Sequence, residues 1–179
     1  MYSINCSLDG YSADAEGNFA WTAPSGQFIA SHAQDLEDAA TALYGRRMYE
    51  ALAVWENDPG LATGSPEAGR YAAAWTAVPK VVFSSTLPEV STSRTTLEPA
   101  LTPEAIERAK AAGNATIGGP ALAKSALRMG LVDVVSLVIC PVIVGGGTRA
   151  LPDGLFLDLR LLREERYDNG TVRVTYAVQ

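Results

Sequence analysis

The chain has 179 residues, 47% of them apolar and 19% charged, enough for one ordinary domain with its own core and too apolar for a disordered chain. Twenty acidic against 14 basic residues leave a net charge of −6, and Arg46-Arg47 is the only adjacent basic pair, so no basic footprint for nucleic acid exists. The longest apolar run, residues 137–144 with Pro141 counted in, is far short of the ~20 residues of a membrane span.

In chain order, residues 2–6 predict a strand, and Asp9-Gly10 a turn behind it. Ser25 predicts the N-cap of a helix reaching residue 34 or 37. A short apolar strand follows over 39–44, then helices over 47–54 and 67–77 and a strand over 80–83. Residues 57–69, with Asp58-Pro59-Gly60 and Gly64-Ser65-Pro66, predict a surface excursion. Thr102-Pro103-Glu104 opens a helix with a polar cap, a first-turn proline and an acid favoured by the dipole, and Gly113 closes it. A strand at 115–117 leads to a helix over 120–129, and residues 134–144 predict a long strand buried on both faces. Asn169-Gly170 separates two strand-like segments, and beyond it Val172, Val174, Tyr176 and Val178 alternate with Thr171, Arg173, Thr175 and Ala177. Strands alternating with helices before an antiparallel end predict an α/β fold: a mostly parallel mixed sheet, flanked by helices, with a C-terminal antiparallel hairpin at one edge.

The start of the chain has neither a basic stretch nor an apolar leader, and Cys6 and Cys140 sit in strand-like contexts without metal-ligand spacing. A cytoplasmic protein with packing thiols and no metal site is expected. The lone His32, beside Asp35 on a helix, is expected at a polar surface position.

Three strand-to-helix junctions share one grammar. They are Tyr44-Gly45-Arg46-Arg47-Met48-Tyr49, Phe83-Ser84-Ser85-Thr86-Leu87 and Ile117-Gly118-Gly119-Pro120-Ala121-Leu122. In a parallel sheet such junctions lie along one edge, outside the carboxyl ends of the strands, where ligands bind. Gly118-Gly119 permits close backbone approach, Pro120 suits the first helical position, and the helix start behind them favours an anion. Arg46 and Arg47 add guanidinium forks suited to phosphate, and Ser84, Ser85 and Thr86 add hydroxyls. Neither Gly-x-Gly-x-x-Gly nor a P-loop pattern is present.

These segments, in this order, resemble the dihydrofolate reductase-like superfamily, closest to its riboflavin-biosynthesis reductase branch. Ser7-Leu8-Asp9-Gly10, Gly45 to Glu50, Ser84 to Leu87, Ile117-Gly118-Gly119, Gly130 to Asp133 and Pro141 to Gly147 all match, over nearly the whole chain. The resemblance implies a three-layer dihydrofolate reductase-like fold in a single domain, NADPH as cofactor and a small-molecule substrate; relatives are often homodimers. By it, Gly45, Arg46, Arg47 and Met48 lie near the cofactor's phosphates. Ser84, Ser85 and Thr86 hold its adenosine and 2′-phosphate end. Ile117, Gly118, Gly119, Pro120, Ala121 and Leu122 cradle its pyrophosphate. Three positions depart from the pattern. Met48 stands where the family commonly has Thr, and Ile117 where the riboflavin-type reductases often have Glu. Gly26 falls where dihydrofolate reductases carry the acid of Trp-x-x-Pro-x-[Asp/Glu], so dihydrofolate itself is disfavoured as substrate.

The catalytic candidate is Asp9, at the end of the first strand. Trp21, Tyr49, Trp55 and Gly145 are candidates for the substrate pocket, Trp21 as a wall for the nicotinamide, Tyr49 and Trp55 as cleft lining, and Gly145 through close backbone approach. An NADPH-dependent reductase acting on a small heterocyclic or carbonyl-type substrate is the expected function. A non-catalytic nucleotide- or pteridine-binding module is the alternative.

Overall fold

The strand and helix signals assemble into one eight-stranded sheet with helices on both faces, in a computed structural model that describes residues 1–22 and 25–179. In chain order the first half comprises β1 (Tyr2–Ser7), β2 (Tyr11–Ala13), α1 (Gly26–Glu37), β3 (Thr41–Gly45), α2 (Arg46–Leu52), α3 (Val54–Asn57), α4 (Pro59–Ala62) and α5 (Pro66–Ala77). The second half comprises β4 (Lys80–Phe83), β5 (Thr95–Glu98), α6 (Pro103–Ala111), β6 (Ala115–Gly118), α7 (Pro120–Arg128), β7 (Val134–Cys140), β8 (Thr148–Arg149), β9 (Leu159–Arg166) and β10 (Val172–Val178). The strand order is β5-β4-β3-β6-β1-β7-β10-β9, parallel from β5 to β7 and antiparallel through the C-terminal hairpin. The short strands β2 and β8 pair separately.

Alternating side chains along the strands divide the interior into two cores. Leu43 of β3 joins Tyr2, Ile4, Cys6, Ile117 and the small inner faces of α6 and α7. Its neighbours Ala42 and Tyr44 point the other way, into a core with Leu36 of α1 and Trp75 of α5. Each large aliphatic side chain buried in this way, such as Leu43, Ile4 or Ile117, contributes about 1.5–3 kcal/mol. Ser25 and Thr102 cap their helices as expected, and Ser65, from the expected excursion, caps α5; each accepts an amide of the first turn. Lys80, fully buried, lends its ammonium to the other end of α5, donating to the carbonyls of Trp75 (2.8 Å) and Val78 (3.0 Å).

Three local expectations change. The excursion over 57–69 contains a helical turn, α4, because Asp58 caps it through the Gly60 amide and Pro59 presets its first dihedral. The long strand predicted over 134–144 stops at Cys140: Pro141 has no N–H for the ladder, and the chain turns into a loop there. Strands β2, β5 and β8 carried no apolar signal and were not predicted, since their residues are mostly polar or half-exposed.

His32 is a further correction. Its side chain is only one-fifth exposed and lies between α1 and the sheet. Nε2 is 3.0 Å from Asn5 Oδ1, and the ring meets Phe28 edge-on at 4.8 Å. Burial, and then the Arg173 guanidinium, push its pKa down to about 4. In the unfolded chain it titrates near ~6.5. Between those values the unfolded state binds the extra proton, so stability falls as pH drops from about 6.5 towards 4. His32→Gln is expected to remove about 2 kcal/mol of the stability difference between pH 7 and pH 4.5, read by urea unfolding at both. Equal pH losses in the two proteins would contradict this.

Candidate functional site

The carboxyl edge of the sheet is stepped. β3 and β4 end together, with Gly45 opposite Phe83, and β6 ends with Gly118 opposite Tyr44. β1 is paired with β6 at Tyr2–Ile117, yet continues to Ser7 alongside β7 as far as Cys140. The four residues beyond the level of Gly118 raise a wall about 13 Å high, at ~3.3 Å per residue, beside a low ledge.

The three junctions predicted to act together all lie on that ledge, on the adjacent strands β4, β3 and β6. Arg46 spans two of them. Its Nη1 donates to Thr86 Oγ1 at 3.0 Å, while its Nε donates to Glu50 at 2.7 Å. Arg47, one residue on, is exposed. Ser84 Oγ accepts the amides of Thr86 and Leu87 and so holds its own turn, leaving exposed Ser85 and Thr86 as the outward hydroxyls.

At the third junction Gly119 has φ +93°, in the region that favours glycine. A Cβ on Gly118 would lie 2.6 Å from the Tyr44 ring, and one on Gly119 3.2 Å from Met48 Cβ. Both glycines are therefore demanded by protein packing as well as by any ligand, and Met48 is placed behind the pair. Leu122 faces Gly45 across the gap, at 3.9 Å from an ideal Cβ there.

Side-chain caps separate the helices of this edge from most of the others; α3, which follows α2 directly, also starts without one but carries Glu56 in its first turn. α1, α4, α5 and α6 are closed by Ser25, Asp58, Ser65 and Thr102. α2 and α7 begin at Gly45 and Gly119 with no side-chain cap and no acid in the first turn. Their first-turn amides and the positive end of the dipole thus point out of the ledge beside two arginines. This donor set fits a phosphorylated dinucleotide: bare amides for a pyrophosphate, guanidinium forks and hydroxyls for a further phosphate. Ile117 is buried in the core, and Pro120 starts α7 with Ala121 exposed behind it.

The substrate candidates divide. Trp21 lies by the high wall: its indole N–H donates to Asn18 O at 2.9 Å, and the next residue, Thr22, approaches Cys140 at the end of β7. Gly145 (φ +77°) donates its amide to Asp9 Oδ2 at 2.7 Å. Tyr49 is a correction. It is 2% exposed, and its hydroxyl accepts the Ser91 amide at 2.8 Å, so it belongs to the core under α2. Trp55 likewise packs edge-on against Tyr71 at 4.8 Å, within the helical layer. Asp9 does not present a free acid. Both of its oxygens accept amides of the 141–147 loop, and the Ser7 hydroxyl, then those amides, hold its carboxyl below the usual range.

Pro24 of the tryptophan motif lies outside the described residues. At Gly26 the structure adds a residue that sequence spacing does not reveal. The side chain of Glu67, from the first turn of α5, lies 3.4 Å from where a Cβ on Gly26 would be. A carboxylate from another helix therefore stands beside the position lacking one. A cleft of about 760 Å³ opens at the opposite, amino-terminal edge, lined by Met1, Asp35, Lys110, Asp133 and Arg163. Its charges include the pairs Lys110–Asp133 at 2.9 Å and Arg163–Glu165 at 2.7 Å, whereas the ledge adds two uncapped helix starts to its arginines.

The family model described as the RibD C-terminal domain matches residues 1–173. The chain belongs to the RibD C-terminal domain family. Solved structures give this family's fold. A Shewanella sp. PV-4 protein provisionally assigned to riboflavin biosynthesis superposes with a TM-score of 0.78 at 20% identity, covering 99% of this chain and 97% of that one. A pyrimidine reductase-like protein of Corynebacterium diphtheriae gives 0.67 at 17%, covering 99% and 90%. RibD of Acinetobacter baumannii gives 0.71 at 17%, with 99% of this chain but 57% of that one covered. No curated protein matches the chain by sequence. Membership accounts for the dihydrofolate reductase-like layering, and the three junctions sit at the ends of adjacent strands of that sheet.

Proposed function

We propose that this RibD-type domain is an NADPH-dependent reductase acting on a small heterocycle of pyrimidine or pteridine type. The observation that carries the reading is the ledge itself: an uncapped, glycine-started α7 beside Arg46, Arg47 and Thr86 on neighbouring strand ends. Family membership supports it, as does a solved Thermotoga maritima protein (TM-score 0.62 at 16% identity, 99% of this chain and 56% of that one covered), whose name includes 5-amino-6-(5-phosphoribosylamino)uracil reductase.

When bound, NADPH supplies a hydride. The amides that follow Gly119 would hold its pyrophosphate. Arg46 and Arg47, with Ser85 and Thr86, would take the 2′-phosphate. Trp21 would wall the nicotinamide and the Gly145 loop the substrate ring, keeping water from both. Glu67, beside Gly26, would accept N–H groups of the heterocycle.

A fluorescence titration with NADPH and, in parallel, NADH tests the reading. Micromolar NADPH binding with NADH at least tenfold weaker is expected. Binding of neither would end the reductase reading while leaving the fold untouched.

A further inference from the structure

The top of the high wall is built more tightly than a surface loop requires. Leu8 N donates to Val142 O at 2.8 Å, and Ala150 N donates to Gly10 O at 3.0 Å. Tyr2, from within the core, donates its hydroxyl to Ala150 O at 2.6 Å. β2 pairs with β8, and Gly147 (φ +123°) lies so close to the backbone of Ala13 and Asp14 that no Cβ fits. One carboxylate closes this assembly at its tip: Asp9 Oδ1 accepts from Val144 N at 3.2 Å, and Oδ2 from Gly145 N at 2.7 Å. The segment is thus fixed by backbone bonds, the Tyr2 hydroxyl, the stacking of Arg149 on Tyr11 at 4.6 Å and, at its tip, the Asp9 carboxylate. The large apolar side chains on either side of that clamp have no such partners. Leu8 is 66% exposed and Ile143 70% exposed, although buried Ser7 and Cys140 lie just below them. Two exposed aliphatic residues, Leu8 just after β1 and Ile143 just after β7, one and two strands from the Gly118-Gly119 ledge and flanking a tied-down tip, have the arrangement of a binding shelf.

We propose that Asp9 is a positioning residue: it clamps the 141–147 loop so that Leu8 and Ile143 form an apolar shelf for the planar ring of the substrate. This rests on the reductase reading above and names its substrate side. Asp9 acts through the loop, and no proton passes through it. The shelf selects for flat, weakly polar ring faces, while the polar edge of the ring is left to the residues around it.

The test uses the whole protein loaded with NADPH, titrated with 5-amino-6-(5-phosphoribosylamino)uracil, with amide exchange of Val144 and Gly145 followed in parallel. Asp9→Ala is expected to weaken binding of the pyrimidine about tenfold or more and to strip protection from both amides. NADPH affinity should stay within about twofold. Asp9→Asn retains an acceptor oxygen and should recover part of both losses. Leu8→Ser with Ile143→Ser should weaken the pyrimidine as much as Asp9→Ala while leaving amide protection intact. Unchanged pyrimidine binding in Asp9→Ala, or NADPH affinity falling in step with it, would overturn the proposal. A wild-type protein that binds NADPH but not the pyrimidine overturns the shelf and leaves the cofactor reading standing. One that binds neither removes both.

Discussion

Asp35→Ala is expected to lower the unfolding free energy by about 3–5 kcal/mol, the largest stability effect of any single side chain considered. Arg173 of β10 is buried, its side chain 8% exposed, and reaches across to α1. Its Nη2 donates to both Asp35 oxygens at 2.8 Å, and its Nε donates to Ser136 Oγ at 2.8 Å. Removing the carboxylate leaves a guanidinium in a poorly solvated place, and it is this stranded charge, more than the lost contact, that destabilises. For a domain of this size a melting temperature about 10 °C lower follows. Asp35→Leu combined with Arg173→Leu should recover most of the loss, because no charge then remains buried. Urea unfolding of the single and double variants decides the matter. A single-variant loss below about 1 kcal/mol would mean that water reaches the guanidinium after all.

Arg46→Ala combined with Arg47→Ala is expected to weaken NADPH binding about 100-fold and NADH binding by no more than about threefold. Each charge-assisted contact to a phosphate is worth about 1.5–3 kcal/mol, and both guanidiniums lie at an exposed edge, so the lower end applies. The fold should be unaffected, since among the described residues Arg46 is tied to Glu50 and Thr86 at the surface. The double variant should therefore melt within about 2 °C of the wild type. An equal loss for both dinucleotides would shift the arginines from the 2′-phosphate to the shared pyrophosphate. No loss for either would remove them from the site.

Where short-range physics acts alone, the sequence was a good guide. Ser25, Ser65 and Thr102 sit where caps are needed, and Asn169-Gly170 makes the hairpin turn because Gly170 takes a φ of +82°. The ledge was legible for a related reason. A βα junction in a parallel sheet has a fixed place, so three such junctions on parallel strands must share one edge. The substrate side was less legible. Tyr49 and Trp55 follow a site junction in sequence, but their direction is set by which face of a short helix meets the core. Asp9 reads as an acid near the site until the loop that arrives 135 residues later takes both of its oxygens.

The residues by themselves determined the α/β alternation, the helix starts, the hairpin and the gathering of Arg46, Arg47, Thr86 and Gly118-Gly119 at one edge, because each depends on neighbours in the chain or on the handedness of a crossover. Only the tertiary structure decided the rest. It buried Arg173 and left Val172 exposed on the same alternating strand, brought Glu67 beside Gly26, depressed the titration of His32, and engaged both oxygens of Asp9 with loop amides. Each of those outcomes depends on a partner distant in sequence, and a charge or hydrogen bond is defined by its partner as much as by itself.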